Sequence, residues 1–284
     1  MAFQPKAICL DMDGTILNHD NTITEHTLQV IQQLRQQGIR VFIVTGRSLK
    51  EVYDAAPADI ELDGLVTSNG MITYRGKDKI AEYELSPRIV KDVIQLAQQD
   101  QIYYEVHPNN HHRWALQADY SYMEAMIAQE KPEDVGVHEW TDRVAAMDGD
   151  ILWPETYQEQ KAAKLYCFAS DHEQMQAWIA KLEQLKQDAD FTTSSSSPHN
   201  VEVMAAGINK ATGIQILLEH YQLRPEEALA MGDSNNDIPM MKYVGYPVAM
   251  KNATNEIKAL AEEITAADND EEGACQYLQK WLQI

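Results

Sequence analysis

Asp11 and Asp13 stand two residues apart in Asp11-Met12-Asp13-Gly14-Thr15, directly behind the apolar run Ala7-Ile8-Cys9-Leu10. Side chains at i and i+2 of a strand leave the same face. If both acids keep strand geometry at the end of a buried strand, their like charges share one small space. Such a pair calls for a cation or a shared proton. Asp-Gly is also a common turn dipeptide, but a turn alone does not ask for both acids.

More polar groups recur downstream, each just past an apolar run that reads as a strand. Thr45-Gly46-Arg47 follows Val41-Phe42-Ile43-Val44, and Asn69-Gly70 follows Gly64-Leu65-Val66-Thr67-Ser68. Gly232-Asp233-Ser234-Asn235-Asn236-Asp237 follows the run 228–231, and Lys210 opens a helical pattern. Taken singly, each has a plain structural use. Thr45-Gly46-Arg47 could be a strand-to-helix turn, Lys210 a surface lysine, Asn69-Gly70 a hairpin turn and 233–237 a capped helix start. Their occurrence in order, at strand ends, points to one site, because open parallel sheets bind ligands outside the carboxyl ends of their strands.

Several acids, one lysine, a hydroxyl and amides suit Mg²⁺-dependent phosphoryl transfer. Mg²⁺ takes oxygen ligands and would offset the carboxylates and a phosphate together. Phosphate monoesters hydrolyse extremely slowly without a catalyst. An aspartate nucleophile that forms an aspartyl-phosphate divides that barrier into two steps.

The elements that must carry these residues follow from the apolar pattern. Residues 7–85 alternate strand and helix. The strands are continuous apolar runs, as expected of a sheet buried on both faces, and Thr24 can cap a helix that Gly38 ends. A hairpin of 72–74 against 80–83 turns at Gly76. Strand–helix–strand order implies a parallel α/β sheet with right-handed crossovers. From Ser86-Pro87 the texture changes. Helical patterns at 88–99, 119–129 and 173–186 alternate with amphipathic strands at 102–107, 113–117 and 164–169. The Ser194–Ser197 run reads as a linker or a short polar strand. The α/β pattern returns with a strand at 201–205, a helix at 210–220, a strand at 246–250 and helices at 255–262 and 273–282.

The chain has 284 residues, ample for two domains and a sizeable core. Its three cysteines, Cys9, Cys167 and Cys275, are odd in number, and none forms a CxxC pair. They read as reduced thiols of a cytoplasmic protein. No apolar stretch is long enough for a membrane span, and the start lacks the pattern of a signal peptide. A net charge of −21 argues against nucleic acid or an anionic membrane as partner.

Asp11-Met12-Asp13-Gly14-Thr15-Ile16-Leu17 resembles the first motif of the haloacid dehalogenase superfamily of phosphatases. Thr45-Gly46-Arg47 resembles the second motif, Lys210 the third, and Gly232-Asp233-Ser234-Asn235-Asn236-Asp237 the fourth in its Cof-type form. Ser68-Asn69-Gly70, the approach Gly207-Ile208-Asn209-Lys210 and the stretch Val248-Ala249-Met250-Lys251-Asn252-Ala253 are similar to the same branch. The resemblance covers nearly the whole chain. It departs at Ala211, Met71 and Lys251, where glycine, alanine and glycine are common, and none of these removes a catalytic group.

The resemblance implies an α/β fold: a Rossmann-like parallel-sheet core with an inserted α+β cap domain. The expected division is 1–85 and 191–284 for the core and 86–190 for the cap. It further implies Asp11 as nucleophile and Mg²⁺ ligand, and Asp13 as general acid/base that ligates through its backbone carbonyl. Asp233 would be the third protein ligand, and Asp237 would orient the metal's waters. Met12, Thr45, Gly46, Lys210 and Asn236 would hold the phosphate. Candidate substrate contacts are Arg47, Asn69, His107, His111 and Trp114. In the segment that holds the last three, Tyr103, Glu105 and His107 share one strand face.

The expected function is a cytoplasmic, Mg²⁺-dependent phosphatase acting on small phosphorylated metabolites of the sugar phosphate, pyridoxal phosphate or FMN type. Its expected state is a monomer or weak homo-oligomer. The alternatives are phosphomutase-type transfer and a non-catalytic metabolite-binding or sensor protein on the same fold.

Overall fold

The structure, a computed structural model, describes residues 3–57, 60–109 and 112–282. Its strands are β1 Ala7–Leu10, β2 Arg40–Val44, β3 Gly64–Thr67, β4 Ile72–Arg75, β5 Asp78–Glu82, β6 Tyr103–Pro108, β7 Ala162–Phe168, β8 Phe191–Ser194, β9 Asn200–Ala205, β10 Ala228–Gly232, β11 Tyr246–Ala249 and β12 Glu263–Ile264. Two compact units result. One holds the chain up to Glu82 and from Ile208 onward, and the other is Tyr83–Gly207.

The first unit is built on a sheet ordered β12-β11-β10-β1-β2-β3-β4-β5. Pairing is parallel from β12 to β3 and antiparallel through β4 and β5. β1 is central and wholly buried, which explains its unbroken apolar sequence. The chain builds β2 and β3 on one side of β1, then returns to lay β10 on the other. The strand order therefore reverses at β1, where open α/β sheets form their ligand crevice.

The helices are α1 Glu25–Gln36, α2 Leu49–Ala55, α3 Pro87–Asp100, α4 Tyr120–Ile127, α5 Val137–Ala145, α6 His172–Leu185, α7 Lys210–His220, α8 Ile238–Tyr243, α9 Asn255–Leu260 and α10 Gly273–Leu278. Thr24 caps α1 by accepting the Thr27 N–H at 3.1 Å, and Val30, Ile31 and Leu34 are buried beneath it. Asn209 caps α7 and exchanges hydrogen bonds with Thr212. Three helices escaped the sequence reading, the six-residue α8 behind Asp237 among them. α2 spans two turns and buries only Val52 and Ala55, too few for a visible stripe, although Ser48 and Glu51 form a capping box. α5 buries Trp140 and Arg143, and a buried arginine breaks the apolar pattern.

The second unit holds an antiparallel sheet, β6-β7-β9-β8. Its core combines that sheet with Ile89, Val93 and Ala97 of α3 and Met175, Trp178 and Leu182 of α6. The unit extends to Gly207, beyond the expected boundary at residue 190. β9 was expected to return to the core sheet. Instead it pairs with β7 on one side and β8 on the other, which keeps residues 191–205 in this unit. The serine run is not a linker: Ser194 ends the short polar strand β8, the other expected reading, and the turn to β9 follows, with Ser196 and Ser197 gathered around the Asn200 side chain. The expected strand at 113–117 is reduced to single bridges from Trp114 to Val106 and Leu152.

Candidate active site

Three neighbouring strands deliver the principal residues. Leu10 at the end of β1 lies beside Ile43 of β2 and Met231 of β10. Asp11, Thr45 and Asp233 therefore leave the sheet at adjacent carboxyl ends. The Asp11 N–H still donates to Met231 O at 3.1 Å, and the Thr45 N–H to Val66 O at 2.9 Å. After Asp11 the chain turns through Met12–Ile16, with Gly14 at φ +68°.

Lys210 is fully buried at the start of α7, with its Nζ 2.6 Å from Asp11 Oδ1 and 2.6 Å from Asp237 Oδ1. The other Asp237 oxygen accepts the N–H groups of Asp233 at 2.9 Å and Ser234 at 3.1 Å. Asp237 is thus fixed by a lysine and its own turn. Asp11, Asp233 and Asp237 each offer a carboxylate oxygen, and these three lie within 4.8 Å of one another. Asp233 Oδ1 is buried and has no hydrogen-bond partner among the described residues, an unusual condition for a carboxylate oxygen.

The electrostatics follow from burial and crowding. Burial, then the charge of Asp237, raises the Asp11 carboxyl to about 8, against the opposing pull of Lys210. Asp233 is pushed well above the carboxylate range by burial and by Asp237 and Asp11. Burial alone would lower the Lys210 ammonium, but Asp11 and Asp237 outweigh it and hold the charged form. One lysine therefore does not neutralise the three acids. A hard cation against Asp233 and Asp11 would satisfy the orphaned oxygen and restore both carboxylates.

Asp13 departs from the strand-face expectation. Asp11 keeps an extended backbone, but the turn after it separates the two acids: Asp11 is 2 % exposed, and the Asp13 side chain is 57 % exposed. Each finds its own cation. Arg47 Nε reaches the Asp13 oxygens at 3.2 and 3.0 Å, and Nη2 reaches Oδ1 at 2.6 Å. Arg47, expected to meet substrate, is therefore turned to Asp13 here.

The phosphate-binding candidates cluster nearby. Thr45 is fully buried, and its Oγ1 accepts the Arg47 N–H at 3.1 Å. The Asn69 N–H donates to Thr45 O at 3.0 Å. Gly46 follows Thr45 in the same turn, and Met12 is buried beside Asp11. Asn236 Oδ1 accepts from Ser234 Oγ at 2.8 Å. Ser68, Asn69 and Gly70 all have positive φ, and a Cβ on Gly70 would meet Asn209 O at 2.0 Å. This Asn-Gly turn thus lets the β3–β4 connection press against the cap of the helix that carries Lys210. Asn209 and Asn252, whose Nδ2 donates to Gly14 O at 2.8 Å, were missed as supports. The Asn209/Thr212 spacing was a readable signal for the first, and nothing local marks the second.

The candidate contacts in the second unit fare differently. Trp114 is 2 % exposed and packs edge-on against Tyr157 within that unit's core, so it is not available to a substrate. His107 is buried, with its Nε2 3.0 Å from Glu105 Oε2. Tyr103, Glu105 and His107 do share one strand face, joined by hydrogen bonds. His111 lies outside the described residues. Among the described residues, no helix is long and apolar enough to cross a membrane.

The chain matches the haloacid dehalogenase-like hydrolase family over residues 8–278. A 5-amino-6-(5-phospho-D-ribitylamino)uracil phosphatase of Bacillus subtilis is 30% identical over 277 residues, covering 98% of this chain and 96% of its own. An HMP-PP phosphatase of Klebsiella pneumoniae is 25% identical over 283 residues, with 98% and 96% covered. Among solved structures, a haloacid dehalogenase-like hydrolase from B. subtilis aligns with a TM-score of 0.80 at 22% identity, covering 96% of this chain and 99% of that one. A sugar phosphatase of subclass IIB aligns with a TM-score of 0.73 at 21% identity, covering 97% and 98%. This chain belongs to the haloacid dehalogenase-like hydrolases, and within them it is a phosphatase.

Proposed function

We propose that the enzyme is a Mg²⁺-dependent phosphatase of small phosphorylated metabolites that works through an aspartyl-phosphate on Asp11. The observation that carries this reading is the buried Lys210 bridge to Asp11 and Asp237 beside the unpartnered Asp233 oxygen. Asp11, Asp233 and the backbone carbonyl of Asp13 would hold the cation, with Asp237 in the outer position its hydrogen bonds leave it. The bound cation would supply positive charge against the carboxylates and the substrate phosphate.

A carboxylate oxygen of Asp11 attacks phosphorus as the bond from phosphorus to the ester oxygen breaks. Asp13 gives its proton to the departing oxygen. It then takes a proton from the water that attacks the aspartyl-phosphate, which frees Asp11 and inorganic phosphate. Lys210 keeps Asp11 oriented and, together with the cation, would hold it charged. Met12, Thr45, Gly46 and Asn236 would hold the transferring phosphoryl oxygens, and burial of Met12, Thr45 and Asn236 supports strong contacts there.

Sugar phosphates, pyridoxal phosphate and FMN are the substrate types to examine. The ribityl phosphate named for the 30% identical relative joins them as the first to try. The three cysteines are free and buried, which fits a reducing cytoplasmic setting. The enzyme is read as a monomer or weak homo-oligomer.

The test is phosphate release from a metabolite panel with Mg²⁺ and with chelator, using wild type and Asp11→Asn. Turnover that needs Mg²⁺ and disappears in the variant supports the reading. Turnover retained by Asp11→Asn overturns it. Phosphate appearing in a second sugar rather than in water would make the enzyme a mutase.

A further inference from the structure

We propose that Arg47 is a positioning residue for Asp13, holding its carboxylate in the orientation from which it exchanges protons; this rests on reading Asp13 as the general acid/base. An ion pair at the surface normally contributes little, because water screens it and both side chains are mobile. This pair is built differently. The Asp13 side chain is 57 % exposed, and the Arg47 side chain only 13 %. The guanidinium meets both carboxylate oxygens through its Nε and Nη2 fork, a geometry that fixes direction as well as distance.

The arginine is itself anchored. Its Nη2 donates to Asn21 Oδ1 at 2.5 Å, and its Nη1 to Glu51 O at 3.4 Å. Its backbone N–H is held by Thr45 Oγ1, and its carbonyl accepts the Ser68 N–H at 2.8 Å. Ser48, the next residue, caps α2 through a capping box with Glu51.

Asn21 is set in place with similar care. It sits at φ +58°, a conformation asparagine tolerates better than most residues. The turn that carries it is closed by Asn18, whose Oδ1 accepts from Asp20 N–H, Thr22 N–H and Thr22 Oγ1. The turn at Asn21 and helix α2, neither with a part in the proposed chemistry, thus converge on one guanidinium, and that guanidinium points at the one exposed acid of the first motif. Asp13 lies on a turn containing Gly14, where an unsupported side chain would sample several rotamers. A misplaced acid/base costs up to about 10²-fold in rate even when its chemistry is intact.

Arg47 could instead bind the substrate's leaving group, and the two roles separate kinetically. The variants are Arg47→Gln, Arg47→Lys and Asn21→Gly, the last keeping the positive φ while removing the second anchor. Each is measured with an aryl phosphate and an alkyl phosphate, in the wild-type and the Asp13→Asn background, after a thermal melt confirms folding. Positioning predicts a kcat loss of about 10–100-fold for both Arg47 variants, with KM within about threefold. Lysine rescues poorly because it lacks the fork. Asn21→Gly should show a smaller loss of the same kind, larger on the alkyl ester, whose poorer leaving group needs the proton more.

In the Asp13→Asn background the Arg47 variants should add almost nothing. A rise in KM with kcat preserved, or the same fold-loss in both backgrounds, overturns the proposal and makes Arg47 a substrate contact. If Asp13→Asn alone turns over like wild type, the acid/base reading fails and takes this proposal with it.

Discussion

Gly14 lies directly against the Asp233 carboxylate: a Cβ at residue 14 would stand 2.3 Å from Asp233 Oδ2. The backbone there is at φ +68°. One residue thus meets two demands, the left-handed turn after Asp13 and room for an acid arriving from another strand. Gly14→Ala should therefore harm the site more than the fold. The left-handed conformation costs alanine about 1–2 kcal/mol, whereas Asp233 must move to admit the methyl group. We expect the Mg²⁺ concentration for half-maximal activity to rise about 10–100-fold, the usual effect of disturbing a ligand's support. An unchanged Mg²⁺ activation curve would separate Asp233 from metal binding.

Lys210 should prove structural as well as catalytic. Lys210→Met leaves Asp11 and Asp237 buried without their shared cation. Removing one partner of a buried ion pair costs about 3–5 kcal/mol. Urea denaturation at pH 7.5 in chelator should show a loss of that order, together with loss of phosphatase activity. A change within about 0.5 kcal/mol, typical of surface positions, would contradict the buried bridge.

Glu105 anchors a charged cluster inside the second unit. Burial alone would raise its carboxyl, but Arg143, Arg113 and the His107 hydrogen bond outweigh it and hold the group well below the usual range. The lowered folded value sets the sign. The stabilisation is complete above the unfolded carboxylate value, about 4.3, and is lost as pH falls from there through the folded value. Glu105→Gln should cost about 3–5 kcal/mol at pH 7 because it takes the carboxylate from the buried Arg143, whereas Arg113 keeps Asp150. The gap between wild type and variant should narrow in urea melts below pH 4. A gap independent of pH would mean that the charge is not what stabilises the cluster.

Trp114 should affect folding rather than selectivity. It lies in the core of its unit, not at a surface. Trp114→Ala should lower stability by about 3–5 kcal/mol, as large-to-small core changes do. The more conservative Trp114→Phe should leave the ranking of phosphorylated substrates as in wild type. A reordered ranking in Trp114→Phe, with stability retained, would restore its candidacy as a substrate contact.

Residue order along the chain was enough to locate the core of the site. Asp11, Thr45 and Asp233 each follow a short run that is apolar without alternation. Such runs occur where a parallel sheet is covered on both faces, so the candidate residues were legible at the strand ends. α7 was equally plain, because its apolar face repeats at helical spacing behind Asn209 and Lys210. What the sequence could not carry was pairing between distant residues. Whether β9 joins β7 or the parallel sheet depends on partners far away in the chain, although the alternation of Val201 and Val203 with Asn200 and Glu202 already favours a sheet with one polar face. The exposure of Asp13 depends on where Arg47 and Asn21 converge, and the burial of Trp114 on a core assembled from several helices. Local sequence sets backbone preference and apolar periodicity. Which charge meets which, and which aromatic ring finds solvent, is decided only when long-range packing closes.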